Sequence, residues 1–136
     1  MQIPINYLAV VIAALAAFGL GAVWYMVLSK PWLRAVGKTK EEMQARGAFP
    51  FLIAIIALLL MSWMLAGLMG HLAQITIRGG VMTAFFIWVG FVVTTMAVNH
   101  AYSGAKPMLT LIDGLYWLAA LATMGAVIGA FGMPGT

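Results

Sequence analysis

The sequence predicts an all-α integral membrane protein, a bundle of four transmembrane helices with a short cytoplasmic surface helix between the first two. The composition is the first reason: the mean hydropathy is +1.07 and only 7% of the residues are charged, whereas soluble domains carry about 25% charged residues. The second is that the apolar residues form four runs of the length that crosses a bilayer as a helix, about 20 residues. The third is that turn-forming residues separate these runs.

The four predicted spans belong to one domain, residues 1–136, because the chain is too short for two domains. They cover approximately residues 7–28, 49–70, 81–102 and 108–131. Ser29-Lys30-Pro31 ends the first span, Gly79-Gly80 comes just before the third, and Ser103-Gly104 with Pro107 separates the third from the fourth. No basic segment of a secretory signal precedes the first span, so we expect this span to remain in the mature protein.

The loop after the first span is predicted to contain the surface helix. Thr39-Lys40-Glu41-Glu42 has the spacing of a capping box, in which Thr39 caps the helix and Glu42 reaches back. Gly47 is placed to end the one or two turns that follow. We expect the basic residues of this loop to meet anionic lipid headgroups, with a docking site for a protein partner as the alternative.

The distribution of basic residues predicts the orientation of the bundle. Short loops rich in Lys and Arg stay in the cytoplasm. The first and third loops share one side and hold six basic residues, whereas the opposite side holds only Arg78. Both termini should therefore be extracytoplasmic. The six residues are Lys30, Arg34, Lys38, Lys40, Arg46 and Lys106. The net charge of +4 thus indicates a membrane-lipid partner, and we expect no nucleic acid to bind.

The residue types argue against an enzyme or a metalloprotein. There are no cysteines, which excludes disulfides and thiolate metal sites. His71 and His100 fall at opposite membrane faces, so they cannot ligate one haem within a single protomer. Ser62 and Ser103 have no general base at their depth. The eleven methionines are scattered and are typical of gap-filling in a membrane core. We therefore expect no catalytic residue, no metal site and no cofactor.

Four stretches of the sequence carry a family resemblance. They are NYLAVVIAALAAFGLGAVWYMVLSKPW (6–32), GFVVTTMAVNHAY (90–102), LIDGLYWL (111–118) and MGAVIG (124–129). In order, spacing and four-span layout they resemble the bacterial domain of unknown function 1761 family over nearly the whole chain. The resemblance implies a small multi-pass protein of the bacterial cytoplasmic (inner) membrane. It supplies no activity and no functional residue.

A group of polar residues at the end of span three and the start of span four is the candidate ligand or proton site. One stripe on span three holds Thr95, Asn99 and Tyr102, and a second on span four holds Lys106, Thr110 and Asp113. We expect the two stripes to face each other and the bundle interior, because a carboxylate that faces lipid is costly. Asp113 should then contact Asn99, His100 or Tyr102, directly or through water.

Asp113 has three interpretations at this stage. It could be structural, gaining from the helix dipole and pairing with Lys106 or with the first loop. It could form a cytoplasm-facing polar pocket that binds a small-molecule ligand or relays a proton. It could also bind a lipid headgroup.

Small residues on two spans predict close helix packing. Ala9, Ala13, Ala17 and Gly21 recur every four residues on span one, where packing within the bundle is favoured. Gly125 and Gly129 form a G-x-x-x-G motif on span four and are the candidate contact for a homo-oligomer, with packing inside the bundle as an equal alternative.

Two functional hypotheses follow. The first is a non-catalytic membrane protein that acts through helix–helix association, as a homo-oligomer or an accessory membrane subunit. The alternative is a transporter or channel for a small solute or proton that uses the polar site around Asp113. A dry core beyond Asp113 would favour the first hypothesis, and a continuous polar path through the bundle would favour the second.

Overall fold

The computed structural model describes residues 3 and 5–134 of the chain, and in this part it contains helices and no strand. Four helical spans are long and apolar enough to cross a membrane: Tyr7–Val27, Phe49–His71, Ile77–Ser103 and Pro107–Phe131. The predicted all-α class and the four spans are confirmed. The outermost residues of the predicted domain 1–136, namely 1, 2, 4, 135 and 136, lie outside the described part.

Seven α-helices follow one another in the described residues. They are α1 (Tyr7–Val27), α2 (Ser29–Val36), α3 (Lys40–Gln44), α4 (Phe49–His71), α5 (Ile77–Ile87), α6 (Val93–Ser103) and α7 (Pro107–Phe131), and a π-helical turn, Trp88–Val92, joins α5 to α6. Helix α3 is the predicted surface helix. The Thr39 hydroxyl accepts a hydrogen bond from the Glu42 amide at 3.2 Å and donates one to the Glu42 carboxylate, also at 3.2 Å.

The segments 28–48 and 104–106 lie at one end of the bundle, which we call the basic end because it carries Lys and Arg at six positions. Leu28 interrupts the first helix with φ −101° and ψ 19°, and α2 then begins at Ser29. The break predicted at Ser29-Lys30-Pro31 is therefore a bend one residue earlier, at Leu28, and these three residues form the first turn of α2. Helix α2 ends at Gly37, whose φ of 73° lies in the left-handed region that glycine adopts without strain.

The third span begins earlier than predicted. Thr76 caps α5 by accepting a hydrogen bond from the Gly79 amide at 2.8 Å, so Gly79 and Gly80 lie inside the helix. The prediction of a break at Gly79-Gly80 was wrong. Gly80 touches the backbone of Gly125 on α7, and Gly79 lies against Gln74 and Thr76 of the turn before α5.

Helix α7 is the central element of the bundle. It carries the longest series of buried residues and packs against α1, α4, α5 and α6. On α1, Ala9, Ala13 and Ala17 are each 0% exposed, as the small-residue pattern predicted. The Tyr116 hydroxyl donates a hydrogen bond to the Ala17 carbonyl oxygen at 3.0 Å. Small residues on α1 thus let α7 approach its backbone.

The backbones of α5 and α7 touch through glycine. A Cβ added to Gly80 would overlap the carbonyl of Gly125, and a Cβ added to Gly125 would overlap the carbonyl of Gly80. One turn further along α7, a Cβ at Gly129 would overlap the backbone of Thr76 and Ile77. Both glycines of the G-x-x-x-G motif are buried in this contact within the chain. The structure therefore corrects the expectation that Gly125 and Gly129 form an oligomer contact, because α5 already occupies their face.

Candidate functional site

Asp113 lies on α7 near the basic end, about 9 Å along the helix from Pro107 at a rise of about 1.5 Å per residue. Its side chain is half-buried. The Oδ1 atom accepts two hydrogen bonds, from the Tyr25 hydroxyl at 2.7 Å and from Trp32 Nε1 at 3.1 Å. Tyr25 belongs to α1 and Trp32 to α2, so one carboxylate oxygen connects three helices.

Two more tryptophans bind the backbone on either side of Asp113. Trp24 Nε1 donates to the Ile112 carbonyl oxygen at 3.1 Å. Trp88 Nε1, from the π-helical turn, donates to the Gly114 carbonyl oxygen at 2.7 Å. A carbonyl oxygen has two lone pairs, so it can accept an indole N–H in addition to its bond within the helix. We call Trp24, Tyr25, Trp32, Trp88 and segment 112–114 the Asp113 cluster.

The bend at Leu28 positions the donors. Trp24 and Tyr25 lie in the last turn of α1, and Trp32 follows in α2, on the other side of the bend. The rings of Tyr25 and Trp32 meet edge to face with centroids 6.0 Å apart, and Tyr25 meets Tyr116 in the same way at 5.4 Å. Such ring pairs are favourable beyond the area they bury. The aromatic side chains therefore occupy the space beside the carboxylate.

The predicted stripe on span three does not face this cluster. Thr95, Asn99 and Tyr102 are exposed on the outside of the bundle, Tyr102 at 91%. The Thr95 hydroxyl donates to the carbonyl oxygen of Phe91 on its own helix at 2.6 Å. The prediction that the two stripes face each other was wrong. A π-helical turn inserts an extra residue, so the face of α5 that packs on α7 does not continue along α6.

His100 and Lys106 are held by other partners. His100 Nδ1 lies 2.6 Å from Thr110 Oγ1 and connects α6 to α7. Lys106 Nζ donates to the Arg34 carbonyl oxygen at 3.2 Å. Across residues 3 and 5–134, Asp113 makes no hydrogen bond to Asn99, His100 or Tyr102. In the described residues the expected direct hydrogen bond is not formed, and a contact through water stays a prediction. The carboxylate bonds instead to Trp32, in the segment after the first span with which the structural interpretation paired it.

A family model described as a protein of unknown function, DUF1761, matches residues 8–129. The chain belongs to the DUF1761 family. Comparisons with curated proteins and with solved structures gave no match. In this DUF1761 protein the stretches that carry the resemblance supply both sides of the Asp113 cluster: Trp24, Tyr25 and Trp32 come from the first, and Asp113 comes from LIDGLYWL.

Sequence reasoning missed Tyr25 and Trp32 as partners of Asp113. Aromatic residues near the end of a span are commonly explained by the aromatic belt at the headgroups, and that explanation hid their hydrogen-bonding role. The signal that could have identified these partners is the position of each residue along its span. In an up-down bundle the end of span one and the start of span four lie at the same membrane face, so Tyr25 and Asp113 had to be at similar levels.

Proposed function

We propose that this DUF1761 protein is a non-catalytic membrane protein that acts through helix–helix association, as a homo-oligomer or as an accessory membrane subunit. The observation that carries the proposal is that the Asp113 carboxylate is already used in hydrogen bonds between helices of the chain. Of the three acidic residues, Glu41 and Glu42 lie in the surface helix, which leaves Asp113 as the acid of the spans. Its Oδ1 atom already joins α1 and α2 to α7.

The core beyond Asp113 supports the same proposal. The buried side chains that follow on α7 toward the opposite end are Tyr116, Ala120, Leu121, Met124 and Ile128. All are apolar except for the Tyr116 hydroxyl, which donates to the Ala17 carbonyl oxygen. The buried polar groups of the described residues donate to backbone carbonyl oxygens: Ser62 to Val10 at 2.8 Å, and Thr83 to Gly79 at 2.7 Å. A proton or ion path needs polar groups in sequence along the bundle, and this core offers apolar packing instead.

The proposal is tested by the mass of the purified protein in lipid nanodiscs. We expect a discrete species larger than the 14.6 kDa chain, either a homo-oligomer or a stoichiometric complex with another membrane protein. The measurement is native mass spectrometry across a range of protein-to-lipid ratios. A species that remains a lone chain at every ratio would contradict the proposal and would favour the alternative, a transporter or channel that uses Asp113.

The orientation proposed for the bundle puts the basic end in the cytoplasm of a bacterial cell and both termini outside its inner membrane. Six basic residues at one end against Arg78 at the other support it. A fluorescent protein that matures only in the cytoplasm, fused after Thr136, should stay dark. The same protein inserted at Gly37, in the turn after α2, should fluoresce. Bright C-terminal fusions with a dark Gly37 insertion would reverse the orientation.

A further inference from the structure

Helix α6 is a poorly buried part of the four spans. It has no buried residue, whereas α7 in the same bundle has nine buried residues between Ile112 and Gly129. One continuous side of α6 is exposed and follows helical spacing, and we call it the α6 face. It consists of Thr94, Thr95, Val98, Asn99, Ala101 and Tyr102.

The α6 face has the composition of a helix contact in membranes. Lipid-facing positions are normally apolar, because a polar group in hydrocarbon lacks hydrogen-bond partners. Contacts between transmembrane helices instead use small residues for close approach and Thr or Asn for hydrogen bonds. Here Ala101 and Thr94 are small, and Thr94, Thr95, Val98 and Asn99 line a shallow, open depression on the surface.

Asn99 is the group that needs a partner. Thr95 is satisfied by the Phe91 carbonyl oxygen on its own helix, but in the described part of the chain the Asn99 carboxamide makes no hydrogen bond. Asn99 lies about 6 Å from the end of α6 at Ser103, and Thr95 about 12 Å from it, at a rise of about 1.5 Å per residue. The face therefore extends along more than two turns of the third span from its end at Ser103.

We propose that the α6 face binds the α6 face of a second copy of this chain, with the two Asn99 carboxamides hydrogen-bonded to each other. This proposal rests on the proposed function and names its contact surface. A carboxamide both donates and accepts, so it is complementary to itself. All copies enter the membrane in one orientation, so a two-fold axis runs along the membrane normal and brings residues of equal depth together. Asn99 thus meets Asn99.

Single-cysteine cross-linking tests the contact directly, because the natural chain has no cysteine. Val98→Cys lies in the centre of the α6 face, and Val98 is 55% exposed. Ile53→Cys is the matched control: Ile53 is 50% exposed, on α4, at a similar distance from the basic end. In oxidised membranes we expect a disulfide-linked dimer from Val98→Cys and little from Ile53→Cys. Equal cross-linking at the two positions would overturn the proposal.

Asn99→Leu and Asn99→Gln separate this proposal from the proposed function. In nanodiscs, Asn99→Leu should weaken the dimer about tenfold, the effect of losing roughly 1–2 kcal/mol of hydrogen bonding between helices. Asn99→Gln keeps the carboxamide and should retain most of the dimer.

If Asn99→Leu leaves the oligomer unchanged, the proposed α6 contact would be overturned and the proposed function would still stand. If the chain instead forms a complex with a different protein, and Asn99→Leu dissociates that complex, the proposal that a second copy binds the α6 face would be overturned. A lone chain at every lipid ratio would overturn both proposals.

Discussion

Gly125→Ala is expected to destabilise the bundle strongly, although it adds a single methyl group. The new Cβ would overlap the backbone carbonyl of Gly80, and a backbone atom in a packed helix cannot rotate away as a side chain can. Helices α5 and α7 would have to separate along their main contact. We expect a loss of at least about 3 kcal/mol, the upper part of the range for overpacked cores, measured as the midpoint of thermal unfolding in mild detergent.

Gly67→Ala is the matched control for this substitution. Gly67 lies inside α4, and a Cβ added there meets nothing within 4 Å. Replacing a helical glycine by alanine in open space stabilises a helix by about 0.5–1 kcal/mol. The two substitutions should therefore move the midpoint in opposite directions. Equal midpoints for Gly125→Ala and Gly67→Ala would show that α5 and α7 do not touch through these glycines.

Asp113→Ala is expected to lower the stability by about 3–6 kcal/mol, because two donors lose a carboxylate acceptor and each such bond is worth about 1.5–3 kcal/mol. Neutral hydrogen bonds between transmembrane helices average only about 0.6 kcal/mol, so a loss of this size would identify a charged acceptor. Trp32→Phe removes one donor and should cost less than Asp113→Ala. The measurement is again the unfolding midpoint, with the double variant included.

Two results would contradict this account of Asp113. If Asp113→Ala and Trp32→Phe were additive, the two side chains would not be coupled, and the bond between them would not contribute. If Asp113→Ala changed the midpoint no more than Glu41→Ala does, the carboxylate would not hold the helices together. Glu41 is exposed in the surface helix α3, where a substitution normally changes the stability by less than about 0.5 kcal/mol.

The spans could be predicted from the sequence because the bilayer imposes their length and polarity. The ends of the first, second and fourth spans were placed within one residue of Tyr7–Val27, Phe49–His71 and Pro107–Phe131. The start of the third was not. Glycine is compatible both with a turn and with a close helix contact, and Gly80 could be assigned only once Gly125 was known to lie opposite it.

Asp113 was predicted to lie near one end of the bundle, and it does, but its hydrogen-bond partners are Tyr25 and Trp32 and not the predicted residues. Asp113 was identified from its charge within a span, which is a local property of the sequence. Its partners depend on how the helices are rotated about their axes. Helical periodicity places Thr95, Asn99 and Tyr102 on one stripe but does not say which neighbour that stripe faces. The π-helical turn at Trp88–Val92 has no recognised sequence signature here, and the polar stripe beyond it faces outward.

The central claim is that the Asp113 carboxylate holds α1 and α2 against α7 and does not carry protons across the membrane. Proton flux into proteoliposomes, followed with an enclosed pH-sensitive dye under a potassium diffusion potential, tests it most directly. The account predicts that the natural chain and Asp113→Asn give the same flux as protein-free liposomes, while Asp113→Asn unfolds at a lower temperature. Flux from the natural chain that Asp113→Asn abolishes, with the unfolding temperature unchanged, would contradict it.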